Sequence, residues 1–179
     1  RLDLIAAAYG YAVQIYCDFS GYSDIALGTA KLFGISLLRN FAFPYFSRDI
    51  AEFWRRWHIS LSSWFRDYVY IPLDGSRRNK IITIRNTFIV FFISGLWHGA
   101  NWTFIIWGAL NGFYLVFALV TREWRKKLAH ILYLDKYPKL YKGLQILTTF
   151  LLACFAWIFF RANSTHDAFL IIRQIFAFR

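Results

Sequence analysis

The sequence predicts an all-α, polytopic membrane protein. Of its 179 residues, 58% are hydrophobic and 22% are aromatic, whereas charged residues supply only 17%. Soluble domains carry an apolar share of roughly half. The charges are also clustered, so that the stretch from Asn86 to Thr121 contains no Asp, Glu, Lys or Arg. A run of this length without charge is expected in lipid, or in protein that lipid surrounds.

The positive charge of the chain is concentrated at the borders of the apolar runs. The formal net charge is +11, and a charge of this size can indicate nucleic-acid binding. However, the segments Arg39 to Arg85 and Arg122 to Lys142 hold most of the basic residues, and both flank uncharged runs. Basic segments beside membrane spans usually face the cytoplasm. We therefore expect both segments on the cytoplasmic side, with a lipid bilayer and no nucleic acid as partner.

The uncharged run Asn86 to Thr121 then has to cross the membrane twice, as a hairpin with His98 near its tip. Two arms of roughly 15 to 17 residues would each be about 24 Å long, which is shorter than the ~30 Å hydrocarbon core. Gly95 and Gly99 flank the histidine and predict a broken helix there. Because non-helical backbone at membrane depth requires burial in protein or a wet cavity, the break predicts a functional chamber.

Three further segments complete the predicted helices. Gly143 to Phe160 is uncharged and close to the ~20 residues of a spanning helix, so it predicts another membrane segment. Leu4 to Cys17 is apolar but short, which fits a truncated span or a buried core helix. Arg48 to Tyr68 has an aromatic face opposite a charged one, which predicts an amphipathic helix in the membrane interface or docked on a bundle. Pro44 and Pro72 mark the ends of that segment, and Asp74-Gly75 predicts a turn.

His98 is the first candidate for chemistry because it lies in the longest uncharged run. An imidazole accepts a proton near neutral pH, as the deprotonation of an attacking hydroxyl requires. The alternative is a structural histidine hydrogen-bonded between helices. His58 is the second candidate, although interfacial helices carry histidines for many reasons. Arg55, Arg56 and Arg66 either bind an anionic donor, such as a coenzyme A phosphate, or extend to lipid headgroups.

The segment Tyr16 to Asp24 places two carboxylates, two hydroxyls and two phenols beside an apolar run. Asp18 or Asp24 can pair with arginines of the interfacial helix or fix a histidine tautomer, and we favour a structural pairing. The spacing of His, Cys and acidic residues matches no zinc or iron motif, so no metal site is expected. Cys17 and Cys154 are expected to be free.

Three sequence blocks form a specific pattern: Q-I-Y-C-D-F-S-G-Y-S-D at Gln14 to Asp24, E-F-W-R-R-W-H-I-S-L-S-S-W-F-R-D-Y at Glu52 to Tyr68, and L-W-H-G-A-N-W at Leu96 to Trp102. They resemble the alginate O-acetylase branch of the membrane-bound O-acyltransferase family, which also includes peptidoglycan O-acetyltransferases and the D-alanyl transfer protein of teichoic acid synthesis. The resemblance implies that His98 is catalytic and that His58 is a second active-site residue. It also implies a ring of membrane helices around a thinned centre, with a cytoplasmic donor tunnel and an outer acceptor funnel.

The resemblance implies transfer of an acyl group from a cytoplasmic thioester to a hydroxyl of an extracytoplasmic polysaccharide or relay protein. Acetyl is the acyl group that we favour. Acetyl-CoA is the expected donor substrate, and no bound cofactor is expected. The expected partners are the glycan acceptor and a periplasmic or secreted acyltransferase- or esterase-like protein, at a bacterial cytoplasmic membrane. The residues expected to bind substrate are Trp97, Asn101, Arg55, Arg56, Asp18, Ser20 and Tyr22.

Residues 1–179 are expected to be part of a single membrane domain whose N-terminal helices precede the sequence. Two other functional classes stay open. A transporter of a lipid-linked glycan predicts inverted repeats and charged residues within several spans. A non-catalytic membrane scaffold predicts that removal of either histidine leaves product levels unchanged.

Overall fold

The chain folds into helices joined by short connections. The structure, a computed structural model, describes residues 2–177, and these residues contain no β-strand. Two 3₁₀ turns, Pro44–Phe46 and Leu134–Lys136, and a π-helical turn, Arg66–Tyr70, lie between the longer helices. The predicted all-α class is confirmed. The α-helices of the described residues are α1 (Leu2–Leu32), α2 (Ile50–Arg56), α3 (Ile59–Phe65), α4 (Lys80–His98), α5 (Trp102–Val120), α6 (Arg122–Ile131), α7 (Pro138–Arg161) and α8 (Thr165–Phe176).

Three of these helices, α4, α5 and α7, are long and apolar enough to cross a membrane. The uncharged run Gly143 to Phe160 lies within α7, so the helix predicted there is confirmed. The apolar stretch Leu4 to Cys17 belongs to α1, a helix of 31 residues that continues through the polar block Tyr16 to Asp24. The apolar pattern therefore ends at Cys17 but the helix does not, and the short helix predicted from that pattern was wrong.

The helices α4 and α5 form the predicted hairpin, and the helical break follows His98 directly. Gly99 has φ 152° and ψ 163°, a backbone conformation that is essentially restricted to glycine, and it turns the chain. Each arm has 19 residues, more than predicted, because α4 already begins at Lys80 and the turn at residues 99–101 lies nearer the start of the uncharged run than its end. At ~1.5 Å per residue each arm is about 28 Å long, so arm length no longer indicates a tip inside the hydrocarbon core.

Two glycines bring the arms of the hairpin into close contact. A Cβ atom on Gly95 would lie 2.5 Å from the carbonyl oxygen of Phe104, and a Cβ atom on Gly108 would collide with the carbonyl oxygen of Phe91. Neither position accepts a side chain unless a helix moves. Small residues let membrane helices approach closely and so strengthen their van der Waals packing. This packing fixes the end of α4, where His98 lies, against α5.

The amphipathic segment Arg48 to Tyr68 was predicted as one helix, and this prediction was wrong. The segment contains two short helices, α2 and α3, separated by a sharp corner in which Trp57 is extended and His58 is left-handed, with φ 45° and ψ 56°. Only 4% of Trp57 is exposed, and its indole packs against aromatic rings of α1 and α7. Burial of this ring outweighs the local helical preference that the periodicity detects.

A buried amide holds the loop that precedes α4. Asp74 and Gly75 both have positive φ, 71° and 55°, which confirms the predicted turn. The Asn86 side chain is fully buried, and its Nδ2 donates to the carbonyl oxygens of Leu73 at 2.6 Å and Gly75 at 2.9 Å. Its Oδ1 accepts from the guanidinium of Arg85. These bonds fix the start of α4 relative to the π-helical turn.

An aromatic core joins α2, α5 and α7. The ring centroids of Trp57 and Trp157 are 5.0 Å apart, and those of Trp107 and Trp157 are 6.0 Å apart. Phe53 stacks on Trp57 at 5.6 Å, and the hydroxyl of Tyr45 donates to a backbone carbonyl of α1. Aromatic pairs of this kind contribute about 0.5–1.5 kcal/mol each beyond the area that they bury. This core forms one wall of the cavity described below.

Candidate active site

A cavity opens between the α2–α3 corner and the α4–α5 hairpin, and α7 closes its far side. Its volume is about 820 Å³, which lies within the ~300–1,000 Å³ of most small-molecule sites. Apolar side chains form most of the lining, and both predicted histidines, His58 and His98, are part of it. The two sequence blocks that suggested chemistry therefore meet at one cavity.

His98 lies at the end of α4 with one ring nitrogen engaged. Its Nδ1 is 2.7 Å from the backbone carbonyl oxygen of Ser94, one helical turn earlier. Because a carbonyl only accepts hydrogen bonds, this contact assigns the proton of the neutral imidazole to Nδ1. The rings of Trp97, Trp107 and Phe160 surround the imidazole at centroid distances of 4.9, 4.9 and 5.2 Å. The lone pair of Nε2 is therefore left to accept a proton.

His58 faces the same cavity from the corner between α2 and α3. Its ring lies 4.7 Å from that of Phe19 on α1 and 6.2 Å from that of Trp97. Burial, and secondly the imidazole of His98, lowers the pKa of His58 to about 4, so this histidine is neutral at pH 7. A left-handed backbone at a residue other than glycine costs about 1–3 kcal/mol, and such strain concentrates at functional sites. The neutral ring has one N–H to donate.

Trp97 connects the two histidines. Its indole ring contacts both imidazoles, at 6.2 Å from His58 and 4.9 Å from His98. The side chain lines the cavity although 58% of the residue is exposed. Trp97 therefore forms part of the cavity wall beside both imidazole rings, where it can contact a bound substrate.

The three candidate arginines have different surroundings. Arg55 and Arg66 line the cavity, whereas Arg56 does not. The Nη2 atom of Arg56 lies 2.6 Å from a carboxylate oxygen of Glu52, and Arg66 pairs with Asp67 at 2.8 Å. No acidic side chain of residues 2–177 forms an ion pair with Arg55. Arg55 is therefore the guanidinium that is free to meet an anion at the cavity.

Asn101 has a structural position outside the cavity lining. Its Oδ1 accepts from the backbone N–H of Thr103 at 3.1 Å and so caps α5. Its Nδ2 donates to the carbonyl oxygen of Asn163 at 3.0 Å, which ties the hairpin turn to the connection between α7 and α8. These bonds use the side chain for loop geometry, and the predicted contact of Asn101 with substrate has no support from this position.

The polar block of α1 contributes a different residue from those predicted. Asp18, Ser20 and Tyr22 are not part of the cavity lining, whereas Phe19 is. Adjacent positions on a helix point in different directions, so a helix that presents Phe19 to the cavity turns Asp18 and Ser20 away from it. Within the described part of the chain, Asp18 and Asp24 form no ion pair, and the backbone of Ser94 rather than a carboxylate fixes the His98 tautomer.

Several wall residues gave no signal in the sequence. Trp157 and Phe160 reach the cavity from α7, where a uniformly apolar run hides which side chains face a site. Between residues 2 and 177, no group of three or more His, Cys, Asp or Glu side chains is arranged to hold a metal ion. Cys17 and Cys154 are both free, as predicted.

The helical fold, with three helices long enough to cross a membrane, agrees with the class of protein that the sequence blocks suggested. The sequence profile of the membrane-bound O-acyltransferase family matches residues 4–160 of the chain. This match covers most of the sequence, so the chain belongs to that family.

Individual bacterial proteins are similar to the chain over most of its length. The chain is 43% identical over 176 residues to the probable alginate O-acetylase AlgI of Pseudomonas putida, a match that covers 98% of this chain and 34% of the relative. It is 42% identical over 167 residues to the peptidoglycan O-acetyltransferase of Helicobacter pylori, covering 91% of this chain and 29% of the relative. It is also 40% identical over 134 residues to the teichoic acid D-alanyltransferase of Streptococcus thermophilus, covering 71% and 32%. The chain spans about a third of the length of these relatives.

Proposed function

We propose that the full-length protein is an O-acyltransferase of a bacterial cytoplasmic membrane, which it crosses several times. The transferred group is acetyl, the donor is acetyl-CoA on the cytoplasmic side, and the acceptor is a hydroxyl of an extracytoplasmic polysaccharide or of a relay partner. Two of the relatives named above are an alginate O-acetylase and a peptidoglycan O-acetyltransferase, which supports acetyl over D-alanyl transfer.

One observation carries this proposal: His98 and His58 line the same cavity, and the free nitrogen of His98 is a base. A structural histidine bonded between helices would use its ring nitrogens on two partners. The hydrogen bond of His98 instead goes to its own helix, and the rest of its ring is surrounded by aromatic side chains. This arrangement orients a proton acceptor without joining two helices.

The chemistry requires one proton transfer in each direction. The acceptor hydroxyl oxygen attacks the thioester carbonyl carbon while Nε2 of His98 takes the hydroxyl proton. The tetrahedral intermediate then collapses, the C–S bond breaks, and the leaving thiolate takes the proton from His98. The neutral ring of His58 can donate its N–H to the oxyanion, and the aromatic wall excludes water and limits the motion of the donor.

The lining of the cavity supports entry of the donor from the basic side of the protein. Thr87, Ser94 and His98 share one face of α4 along the cavity, over about 16 Å of helix axis at ~1.5 Å per residue. Arg55 and Arg66 line the cavity too, and Arg66 belongs to the π-helical turn that precedes the basic start of α4. Guanidinium groups in the cavity lining suit the phosphates of coenzyme A, while the acyl thioester extends towards His98.

We assign the acceptor and the partner protein only by chemical class. A hydroxyl of a secreted glycan approaches His98 from the extracytoplasmic side, either directly or through a periplasmic or secreted acyltransferase- or esterase-like protein. The connection around Asn101 and Asn163, at the same end of the fold as His98, forms the surface that such a partner would meet.

The test is acyl transfer by membranes that contain equal amounts of the full-length protein and its variants. Radiolabelled acetyl-CoA is supplied, and the ester-linked label in the glycan fraction is measured after release with mild base. We expect His98→Gln to lower the rate by about 10²- to 10⁴-fold, the usual contribution of a general base. His130→Gln is the matched control, because that imidazole is 83% exposed and lies away from the cavity, paired with Asp135 of the 3₁₀ turn that follows α6. Near-normal transfer by His98→Gln would favour the transporter or the scaffold class over the acyltransferase class.

A further inference from the structure

The corner that carries His58 has an unusual helix cap. The first N–H groups of a helix have no partner within the helix, and the N-cap side chain commonly accepts from one of them. His58 is the N-cap residue of α3, but its side chain makes no capping hydrogen bond. Its ring instead lines the cavity, packed against Phe19 and Trp97. Another group must therefore satisfy the start of α3.

Asn40, from the connection between α1 and α2, supplies that cap. Its backbone carbonyl accepts the N–H of Ile59 at 3.0 Å, and its side-chain Oδ1 accepts from the N–H of Ser60 at 3.3 Å and from the Ser60 hydroxyl at 2.6 Å. The two first helical residues of α3 are thus both bonded to one residue outside the helix. The cap comes from a different part of the chain.

The same side chain ties this cap to α1. The Nδ2 atom of Asn40 donates to the hydroxyl oxygen of Ser23 at 3.1 Å, and only 5% of Ser23 is exposed. Two residues along, the N–H of Ala42 donates to the carbonyl oxygen of Arg56, the last residue of α2. The connection therefore bonds to both sides of the corner, and α1 also supplies Phe19, the ring against which His58 packs.

We propose that Asn40 is the positioning residue of the active site: it caps α3 in place of His58 and so leaves the His58 imidazole free to face the cavity. The inference rests on the proposed function, because it assigns Asn40 an effect on transfer that acts through His58. Without the Asn40 amide, the N-terminal donors of α3 lack their acceptor, and the left-handed backbone of His58 loses the bonds that hold it. The imidazole then leaves its place opposite His98.

The test is a double-mutant cycle in the full-length protein, with labelled acetyl-CoA and membranes normalised for inserted protein. A displacement of about 1 Å can lower a rate by ~10²-fold, so we expect Asn40→Ala to lower transfer about 100-fold. Asn40→Asp keeps the oxygen that accepts from Ser60, and it replaces the Nδ2 donor by an oxygen to which the Ser23 hydroxyl can donate instead, so we expect it to keep most of the rate. His58→Asn removes the imidazole but keeps a residue that tolerates the left-handed conformation.

The decisive comparison is Asn40→Ala combined with His58→Asn. If Asn40 acts through His58, the double variant is no slower than His58→Asn alone. Multiplied effects in the double variant would overturn the proposal, since Asn40 would then act on overall folding. Asn86→Ala is the matched control: this buried amide also joins separate parts of the chain, by bonds to the carbonyl oxygens of Leu73 and Gly75, but at the α4 loop, so its effect should multiply with that of His58→Asn.

The two proposals fail in different ways. Normal transfer by His58→Asn would overturn the positioning role of Asn40 and the role of His58, while loss of transfer in His98→Gln would still support an acyltransferase. Normal transfer by His98→Gln would count against the proposed function itself. Low transfer by Asn40→Asp together with full insertion would overturn the capping argument, because that variant keeps the acceptor oxygens.

Discussion

The two histidines of the cavity are oriented by different interactions, although each lies at the end of a helix. His98 is oriented by its side chain, through the hydrogen bond from Nδ1 to the carbonyl of Ser94. His58 is oriented by its backbone, which a strained left-handed conformation turns out of the helical path. A substitution of His98 therefore removes a proton acceptor and its ring contacts from an ordinary helical position, whereas a substitution of His58 also changes a backbone preference. This difference determines which replacement is informative at each position.

The lowered pKa of His58 predicts a defined pH dependence of stability. Its folded value of about 4 lies below its ordinary value of 6.5, so between these pH values the unfolded chain binds a proton that the folded chain does not. The contribution of His58 to stability is therefore full above pH 6.5 and declines as the pH falls towards 4. We expect the Tm of the full-length protein in detergent to fall less over this window in His58→Asn than in the unmodified protein. An identical fall in both would contradict the burial of a neutral imidazole.

Glu52 provides an internal reference for that measurement. Although burial opposes the effect, the Arg48 backbone N–H and the Arg56 charge hold the pKa of Glu52 below its ordinary value of 4.5. Its titration adds a loss of stability only at pH values below 4.5, and it does so in both proteins. The difference between the two proteins at pH 5–6 therefore isolates His58.

The arginines give a second prediction at the residue scale. Arg55 lines the cavity without an ion pair among the described residues, whereas Arg56 pairs with Glu52. We expect Arg55→Gln to raise the KM for acetyl-CoA with little change in kcat, because a phosphate contact remote from the reacting carbon contributes to ground state and transition state alike. Arg56→Gln is the matched control and should leave this KM unchanged. S-acetylpantetheine, which lacks the phosphates, should not distinguish Arg55→Gln from the unmodified protein, and a KM difference with that donor would refute a phosphate contact.

At the scale of the elements, the sequence predicted those features that depend on residues close to one another in the chain. The uncharged runs predicted the hairpin and α7, and Gly99 predicted the break beside His98, because charge and glycine act within a few residues. The corner at His58 escaped prediction because Asn40 stabilises it from a distant position in the chain. The periodicity of Arg48 to Tyr68 continues through the corner, so no pattern marks it. Phe160 escaped prediction as a wall residue for a similar reason, since the rings that it meets outside α7, those of His98, Phe104 and Trp107, are distant from it in the chain.

The close packing of α4 on α5 predicts strong sensitivity at one glycine. The Cβ atom of Gly108→Ala would collide with the backbone oxygen of Phe91, which cannot rotate away as a side-chain tip could. Overpacking of this kind typically costs about 1–3 kcal/mol, and here it also moves the helix that ends in His98. We expect a lower Tm in detergent and reduced transfer.

Gly143→Ala is the control for that substitution. Gly143 lies in α7, and a Cβ atom there meets no heavy atom of residues 2–177 within 4 Å apart from its two chain neighbours and the adjacent backbone of its own helix. Because alanine is favoured over glycine in a helix by up to about 1 kcal/mol, this variant should be at least as stable as the unmodified protein. Equal destabilisation by both variants would show that the glycines of this chain are needed for a reason other than the contact of α4 with α5.

At the scale of the whole molecule, the cavity is lined by segments that are far apart in the sequence and that pack around the α4–α5 hairpin. The α2–α3 corner supplies His58, α4 supplies His98, α1 supplies Phe19 and α7 supplies Phe160. The hydrogen bond between Asn101 and Asn163 shows that the end of α7 lies beside the hairpin turn. The start of α4 and the end of α5 are therefore at one end of the bundle, and the hairpin turn and the end of α7 are at the other.

This arrangement predicts the sidedness of three positions. Ser76 precedes α4 and Lys136 follows α5 and α6, so both belong to the end of the hairpin that carries the basic segments, and the positive-inside rule assigns that end to the cytoplasm. Asn163 belongs to the opposite end.

In the full-length protein with Cys17 replaced by serine, Ser76→Cys and Lys136→Cys should react with a membrane-impermeant maleimide only in inside-out vesicles, and Asn163→Cys only in intact cells. Reaction of Ser76→Cys and Lys136→Cys from opposite faces of the membrane would contradict the hairpin topology. Reaction of all three from the same face would mean that the hairpin enters and leaves the membrane without crossing it, and the cavity would then not connect a cytoplasmic donor with an outer acceptor.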